Sequence, residues 1–133
     1  MGFIVRQILI IEPDVVLADI YAKALTTQGY KVVVAGDAQT AISLADKEQP
    51  DLIVMEIQLA AHNGIEFIYE LRSYPEWQAI PIIIQSLVPI SEFNTKITQH
   101  LGVICYLYKS STTLFKLINE VNNGLNLSLV TSG

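Results

Sequence analysis

The chain has 133 residues, of which 51% are hydrophobic and 16% charged, and it carries a net charge of −5. That size and apolar content describe one domain able to bury roughly two thirds of its unfolded surface, which excludes intrinsic disorder, while an acidic balance with no basic patch argues against nucleic-acid binding. The apolar runs are too short to span a membrane, Met1 to Val5 lack the charged start and apolar core of a secretory signal, and a lone cysteine, Cys105, precludes an internal disulfide and fits a reducing cytoplasm.

Short Ile- and Val-rich runs alternate with stretches of helical spacing. The first run, Gln7–Ile11, predicts a strand. A helix follows from about Asp14 to Gln28, with Val16, Leu17, Ile20, Ala24 and Leu25 as its apolar stripe and Gly29 as its stop. The second strand is Lys31–Ala35, and the second helix, N-capped by Asp37, carries Ala41, Ile42 and Ala45. The third strand, Leu52–Ile57, is followed after Asn63-Gly64 by a helix packing Ile65, Phe67, Ile68 and Leu71. Trp77, between Pro75 and Pro81, is expected to pack the loop before the fourth strand, Pro81–Gln85. A fourth helix from near Ser91 shows Phe93, Ile97 and Leu101 and stops at Gly102. The fifth strand is Val103–Tyr108. A fifth helix from Ser110 or Ser111 is expected to bury Leu114, Leu117, Ile118 and Val121 before Gly124.

Continuous apolar strands are covered on both faces, and five βα units imply right-handed crossovers. The expected fold is therefore α/β: a doubly wound parallel sheet between two layers of helices. The domain is placed at residues 1–123. Residues 124–133 form a tail with alternating Leu125, Leu127 and Leu129, read as a packed extension, an edge strand or the start of a linker.

Open parallel sheets bind ligands beyond the carboxyl ends of their strands. Glu12 and Asp14 stand after the first strand, Glu56 near the end of the third, Ser86 after the fourth and Lys109 after the fifth. Carboxylates in such a cleft suit a hard divalent cation, with Glu12 and Glu56 the candidate ligands, and a lysine and hydroxyl suit phosphoryl oxygens. Polar residues at strand ends are also what any loop carries. His62, His100 and Cys105 show no metal-ligand spacing, and no glycine-rich phosphate loop is present.

These segments resemble the response-regulator receiver domain over about residues 6 to 123. Ile8-Leu9-Ile10-Ile11-Glu12 is similar to that family's first strand and its acidic end. Pro50-Asp51-Leu52 through Glu56, then Asn63-Gly64, resembles the phosphoacceptor segment. Pro81 to Ser86 resembles the strand ending in a switch Thr or Ser, and Gly102 through Tyr106-Leu107-Tyr108-Lys109 the segment ending in a lysine. The resemblance implies a five-stranded, flavodoxin-like sheet in the order 2-1-3-4-5. It also implies phosphoryl transfer from a histidine kinase with Mg²⁺, a switch pair in Ser86 and Tyr106, and a protein-binding face, also used for dimerisation, on the fourth helix, fifth strand and fifth helix.

The departures lie in the pocket. Glu56 stands where the family has Asp, Pro13 where it has a second acid, and Ser110 where it has a cis proline. One added methylene moves the carboxylate outward by roughly 1.5 Å, enough to cost about a hundredfold in rate. Serine strongly prefers a trans bond. The leading expectation is a pseudo-receiver, a non-enzymatic cytoplasmic module acting by protein contact with little or no phosphorylation. The alternative is an active receiver using Mg²⁺, and a small-molecule binder at the strand ends ranks last. Glu56 either reaches towards Lys109 and partly imitates the phosphorylated state, or points to solvent. Tyr106 is either an interface anchor or inward-packed filler.

Overall fold

Five short apolar strands, the inner three buried on both faces, dictate the architecture of the computed structural model, which describes residues 4–59, 63–89 and 99–132, with side chains through 126. The strands are β1 (Gln7–Ile11), β2 (Lys31–Ala35), β3 (Leu52–Met55), β4 (Ile82–Ser86) and β5 (Val103–Tyr108). They form one parallel sheet in the order β2-β1-β3-β4-β5, the expected arrangement. Strand β3 stops at Met55, so Glu56 is the first residue beyond it.

The described helices are α1 (Val15–Thr27), α2 (Ala38–Lys47), α3 (Gly64–Arg72) and α4 (Leu114–Ser132). Strand side chains alternate between two cores. Leu9, Ile11, Ile53, Met55, Ile82 and Ile84 meet α2 and α3; Ile8, Ile10, Leu52, Val54, Ile83 and Leu107 meet α1 and α4. The alanines of α2, Ala38, Ala41 and Ala45, let that helix lie close on the sheet.

Strand β5 has six residues where β4 has five. The ladder absorbs the difference by a bulge: Ile82 pairs with Val103 but Ile83 pairs with Cys105, leaving Ile104 unpaired. Val103 and Tyr106 consequently pack against the α2–α3 core and Cys105 and Leu107 against the other.

Three local expectations are corrected. Helix α1 turns Ala18, Tyr21 and Leu25 to the sheet and leaves Val16 and Ile20 exposed, because Tyr21 contributes a large ring that an apolar-only stripe omits. Helix α4 begins at Leu114, not at Ser110, since Lys109–Ser111 is a short 3-10 turn, and Leu114 is exposed. It then runs through Gly124 to Ser132. Gly124 is no helix stop: a Cβ there would lie 2.7 Å from Ile104 Cδ1 and 3.0 Å from Leu52 Cδ1, so glycine lets the helix pass close to the sheet. The expected fourth helix, with Phe93 and Ile97, lies outside the described residues except at its end, where Leu101 is buried and Gly102, at φ +78°, turns the chain into β5. His62 also lies outside them. Trp77 is buried against Tyr74, their ring centroids 4.7 Å apart.

Candidate functional site

Four strand ends deliver four polar side chains to one spot. Glu12 follows β1, Glu56 follows β3, Ser86 closes β4, and Lys109 follows β5. Because β1 and β3 are neighbours in register, with Ile11 opposite Met55, their two glutamates emerge side by side. Glu12 is 5% exposed, Glu56 4% and Ser86 fully buried, and the Lys109 side chain is 8% exposed. Burying charge to this degree demands partners, and each group has them.

The Lys109 Nζ lies 2.5 Å from Glu12 Oε1 and 2.9 Å from Glu56 Oε1. Glu56 Oε2 accepts from the backbone N–H of Ile57 at 2.6 Å and of Gln58 at 3.1 Å. Glu12 Oε2 accepts from the Asp14 N–H at 3.0 Å. The Ser86 hydroxyl lies beside the Glu56 carboxylate and helps to lower its pKa, and it accepts from the Val88 N–H at 3.1 Å. Tyr106 donates to the Val88 carbonyl at 2.5 Å. A continuous chain of contacts thus runs from Lys109 through Glu56, Ser86 and Val88 to Tyr106, whose ring packs partly buried against the core.

Burial raises the Glu56 carboxyl, but the hydrogen bonds from Lys109, Ser86 and the Gln58 N–H outweigh it and hold the group below its usual range. Lys109 mirrors this: burial lowers it, and the bonds and charges of Glu12 and Glu56 overcome that and raise it. A depressed carboxyl stabilises the fold above its unfolded value of 4.5 and loses that contribution as pH falls through the lower folded value. A raised lysine stabilises below 10.5 and loses its contribution as pH rises through the higher folded value. The melting temperature is therefore expected to fall on acidification below pH 4.5, and Glu56→Gln to flatten part of that acid limb, as a series of melts against pH would read.

The structure brings Glu12, Glu56, Ser86 and Lys109 together and sets Asp14 apart. Asp14 is exposed and N-caps α1, its Oδ1 accepting from the N–H groups of Val16 and Leu17 at 3.0 and 3.1 Å. Two buried neighbours escaped the sequence reading. Tyr21 accepts a hydrogen bond from Gln85 Nε2 at 3.1 Å, and its hydroxyl is pushed up by burial, partly offset by Lys109 and reinforced by Glu12 and Glu56. A glutamine within the strand, straight after three isoleucines, was the available signal. Cys105 sits partly buried, its thiol raised to about 11 by burial and by Glu120. A thiol raised in this way is a poor nucleophile. His100 is exposed beside Arg72 in a separate cleft.

Mg²⁺, which the resemblance implies, does not fit these residues. One oxygen of each glutamate is taken by the ammonium and the other by main-chain N–H groups. The space lined by Glu12, Glu56, Tyr21 and Gln85 is too small for a water molecule. Among the described residues, no group of three His, Cys, Asp or Glu side chains could hold a metal.

Comparison with known proteins bears on the family and the fold. The response regulator receiver domain family matches residues 8–122. The chain is 30% identical over 77 residues to the probable transcriptional regulatory protein TcrX of Mycobacterium tuberculosis, covering 58% of this chain and 32% of that protein. It is 29% identical over 105 residues to the transcriptional regulatory protein PdtaR of the same species, covering 78% and 49%. It thus spans half the length of these relatives or less. Among solved structures, a CheY-like receiver domain protein from Methanospirillum hungatei superposes with a TM-score of 0.85 at 20% identity, covering 98% of this chain and all of that one. The chemotaxis protein CheY4 of Vibrio cholerae gives 0.83 at 20% identity over 92% of this chain and all of that one. At such identities the likeness speaks for the fold.

Proposed function

The chain belongs to the response regulator receiver family of two-component signalling, and on that premise we propose that it is a pseudo-receiver, a module that works by protein contact and takes little or no phosphoryl group at position 56. The observation that carries this reading is the state of the Glu56 carboxylate. Phosphoryl transfer needs a free carboxylate oxygen in line with the donor and a cation shared with the phosphoryl oxygens. Here both Glu56 oxygens are bonded, one to Lys109 and one to two backbone N–H groups, and the side chain is 96% buried by the complement of its 4% exposure. The extra methylene brings the carboxylate to Lys109 and Ser86, the groups that in the resemblance serve a phosphoryl group. The alternative of an active receiver would have to free Glu56 from these bonds or use the exposed Asp14, whose Oδ1 caps α1.

The module is read as non-enzymatic and cytoplasmic. Among the described residues, no helix is long and apolar enough to cross a membrane. The partner face is assigned to the segment of the expected fourth helix, β5 and α4, of which the described part exposes Ile104, Leu114 and Phe115. Exposed aromatics are effective anchors. A histidine kinase is one partner of this class, and a second copy of the chain another.

Incubation with a small acyl-phosphate donor and Mg²⁺, followed by intact mass measurement and amide spectra, tests the reading. No added phosphoryl mass and an unchanged spectrum are expected. A stable adduct mapped to Glu56, with shifts spreading to Tyr106, would restore the active reading.

A further inference from the structure

We propose that the Lys109 ammonium is the resident cation of this pocket, holding the position between Glu12 and Glu56 that a divalent ion would otherwise take. The inference concerns the pocket of the proposed pseudo-receiver but rests on its geometry alone. A cation shared by two carboxylates sits where one oxygen from each converges. Here Nζ occupies that point, 2.5 Å from Glu12 Oε1 and 2.9 Å from Glu56 Oε1.

The rest of the coordination is also filled. The second oxygens accept from the N–H groups of Asp14, Ile57 and Gln58. Such fixed donors cannot turn into ligands for a metal. Pro13 brings no carboxylate, and Asp14 spends its own on the first turn of α1. Mg²⁺ requires near-octahedral oxygen ligands at about 2.0–2.1 Å, whereas the two convergent oxygens stand 2.5 and 2.9 Å from Nζ, hydrogen-bond distances to an ammonium.

The ammonium is also held on its own side. Lys109 opens the 3-10 turn Lys109–Ser111, and its side chain is 8% exposed, so the charge arrives fixed by the backbone and with little room to swing away. An ion entering from solvent would have to displace this charge or sit against it, and like charges at contact repel strongly in a site with so little water.

Paramagnetic titration of the full chain with Mn²⁺, followed by amide spectra, reads the site directly. In the wild type the amides of Asp14, Ile57 and Gln58 are expected to keep their intensity at millimolar Mn²⁺. In Lys109→Ala, which leaves two buried carboxylates without counter-charge, the same amides are expected to broaden, with apparent affinity at least roughly tenfold higher. Lys109→Gln, which keeps the length without the charge, gives the same comparison if the alanine variant fails to fold. Selective broadening of these amides in the wild type overturns the proposal, and so does a folded charge-removing variant that gains no affinity. Wild-type Mn²⁺ binding without phosphoryl uptake overturns this inference alone; phosphoryl uptake without such binding overturns the signalling reading alone.

Discussion

Replacing Lys109 by methionine is expected to lower the free energy of unfolding by about 3–5 kcal/mol, because it strands two buried carboxylates without a counter-charge. Glu12 and Glu56 are 5% and 4% exposed, so neither can recover hydration by a small movement. Against a typical domain stability of about 5–15 kcal/mol, that loss brings the fold close to its limit. The midpoint of urea denaturation reads it. The compensated triple variant, Lys109→Met with Glu12→Gln and Glu56→Gln, is expected to regain most of the loss, since exchanging a whole buried ionic group for neutral side chains is often close to neutral. A single variant costing less than about 1 kcal/mol, the range of exposed ion pairs, would show that the three charges are solvated and that the pocket is open.

Arg72→Met is the second large effect, at about 3 kcal/mol. The guanidinium has no carboxylate partner among the described residues. Its Nε, Nη1 and Nη2 instead donate to the carbonyls of Leu101, Trp77 and Ile80 at 2.8, 2.6 and 2.6 Å. Burial pulls its pKa below the ordinary value. One side chain thereby pins the end of α3 to the loop before β4 and to the turn at Gly102 before β5. Methionine keeps the stem and leaves three carbonyls without donors. Lysine is expected to rescue only in part, because a single ammonium cannot fork to three fixed acceptors. Denaturation midpoints check the magnitude, and faster amide exchange at Ile80 and Gly102 would localise the damage. An Arg72→Met protein as stable as the wild type would mean that these carbonyls find water at no cost.

Much of the site was legible because a buried parallel strand announces its own end. The apolar run stops where the chain leaves the sheet, so the polar residue that follows is at the carboxyl edge. That rule places Glu12, Glu56, Ser86 and Lys109 without any knowledge of contacts. It says nothing about which partner each takes. Glu12 and Asp14 both follow the first strand, and the sequence leaves Asp14 as ready to cap the next helix as to join the pocket; it caps α1, and Glu12 pairs with Lys109. Tyr21 was hidden for a different reason. Its ring is apolar enough to face the core while its hydroxyl reaches Gln85, and a polar label removed it from the stripe. Arg72 at the end of a helix reads as a favourable dipole charge, and only the fold shows the three carbonyls around it. Gly124 reads as a stop until Ile104 and Leu52 are seen against it.

The unpaired Ile104 decides more than the shape of an edge strand. Both ends of β5 are pinned, by the Gly102 turn at one end and by the pairing of Tyr108 with Ser86 at the other. A ladder regular from Val103 onward would set Leu107 opposite Ser86, and every later side chain would change layers. Lys109 would arrive facing away from both glutamates, and Tyr106 would point at α1 and α4. The surplus residue works as a half-period phase shift: a ladder that kept Ile104 and paired it would dismantle the charged triad, whereas deletion of Ile104 alone would leave Cys105 opposite Ile83, Tyr108 opposite Ser86 and Lys109 at its glutamates.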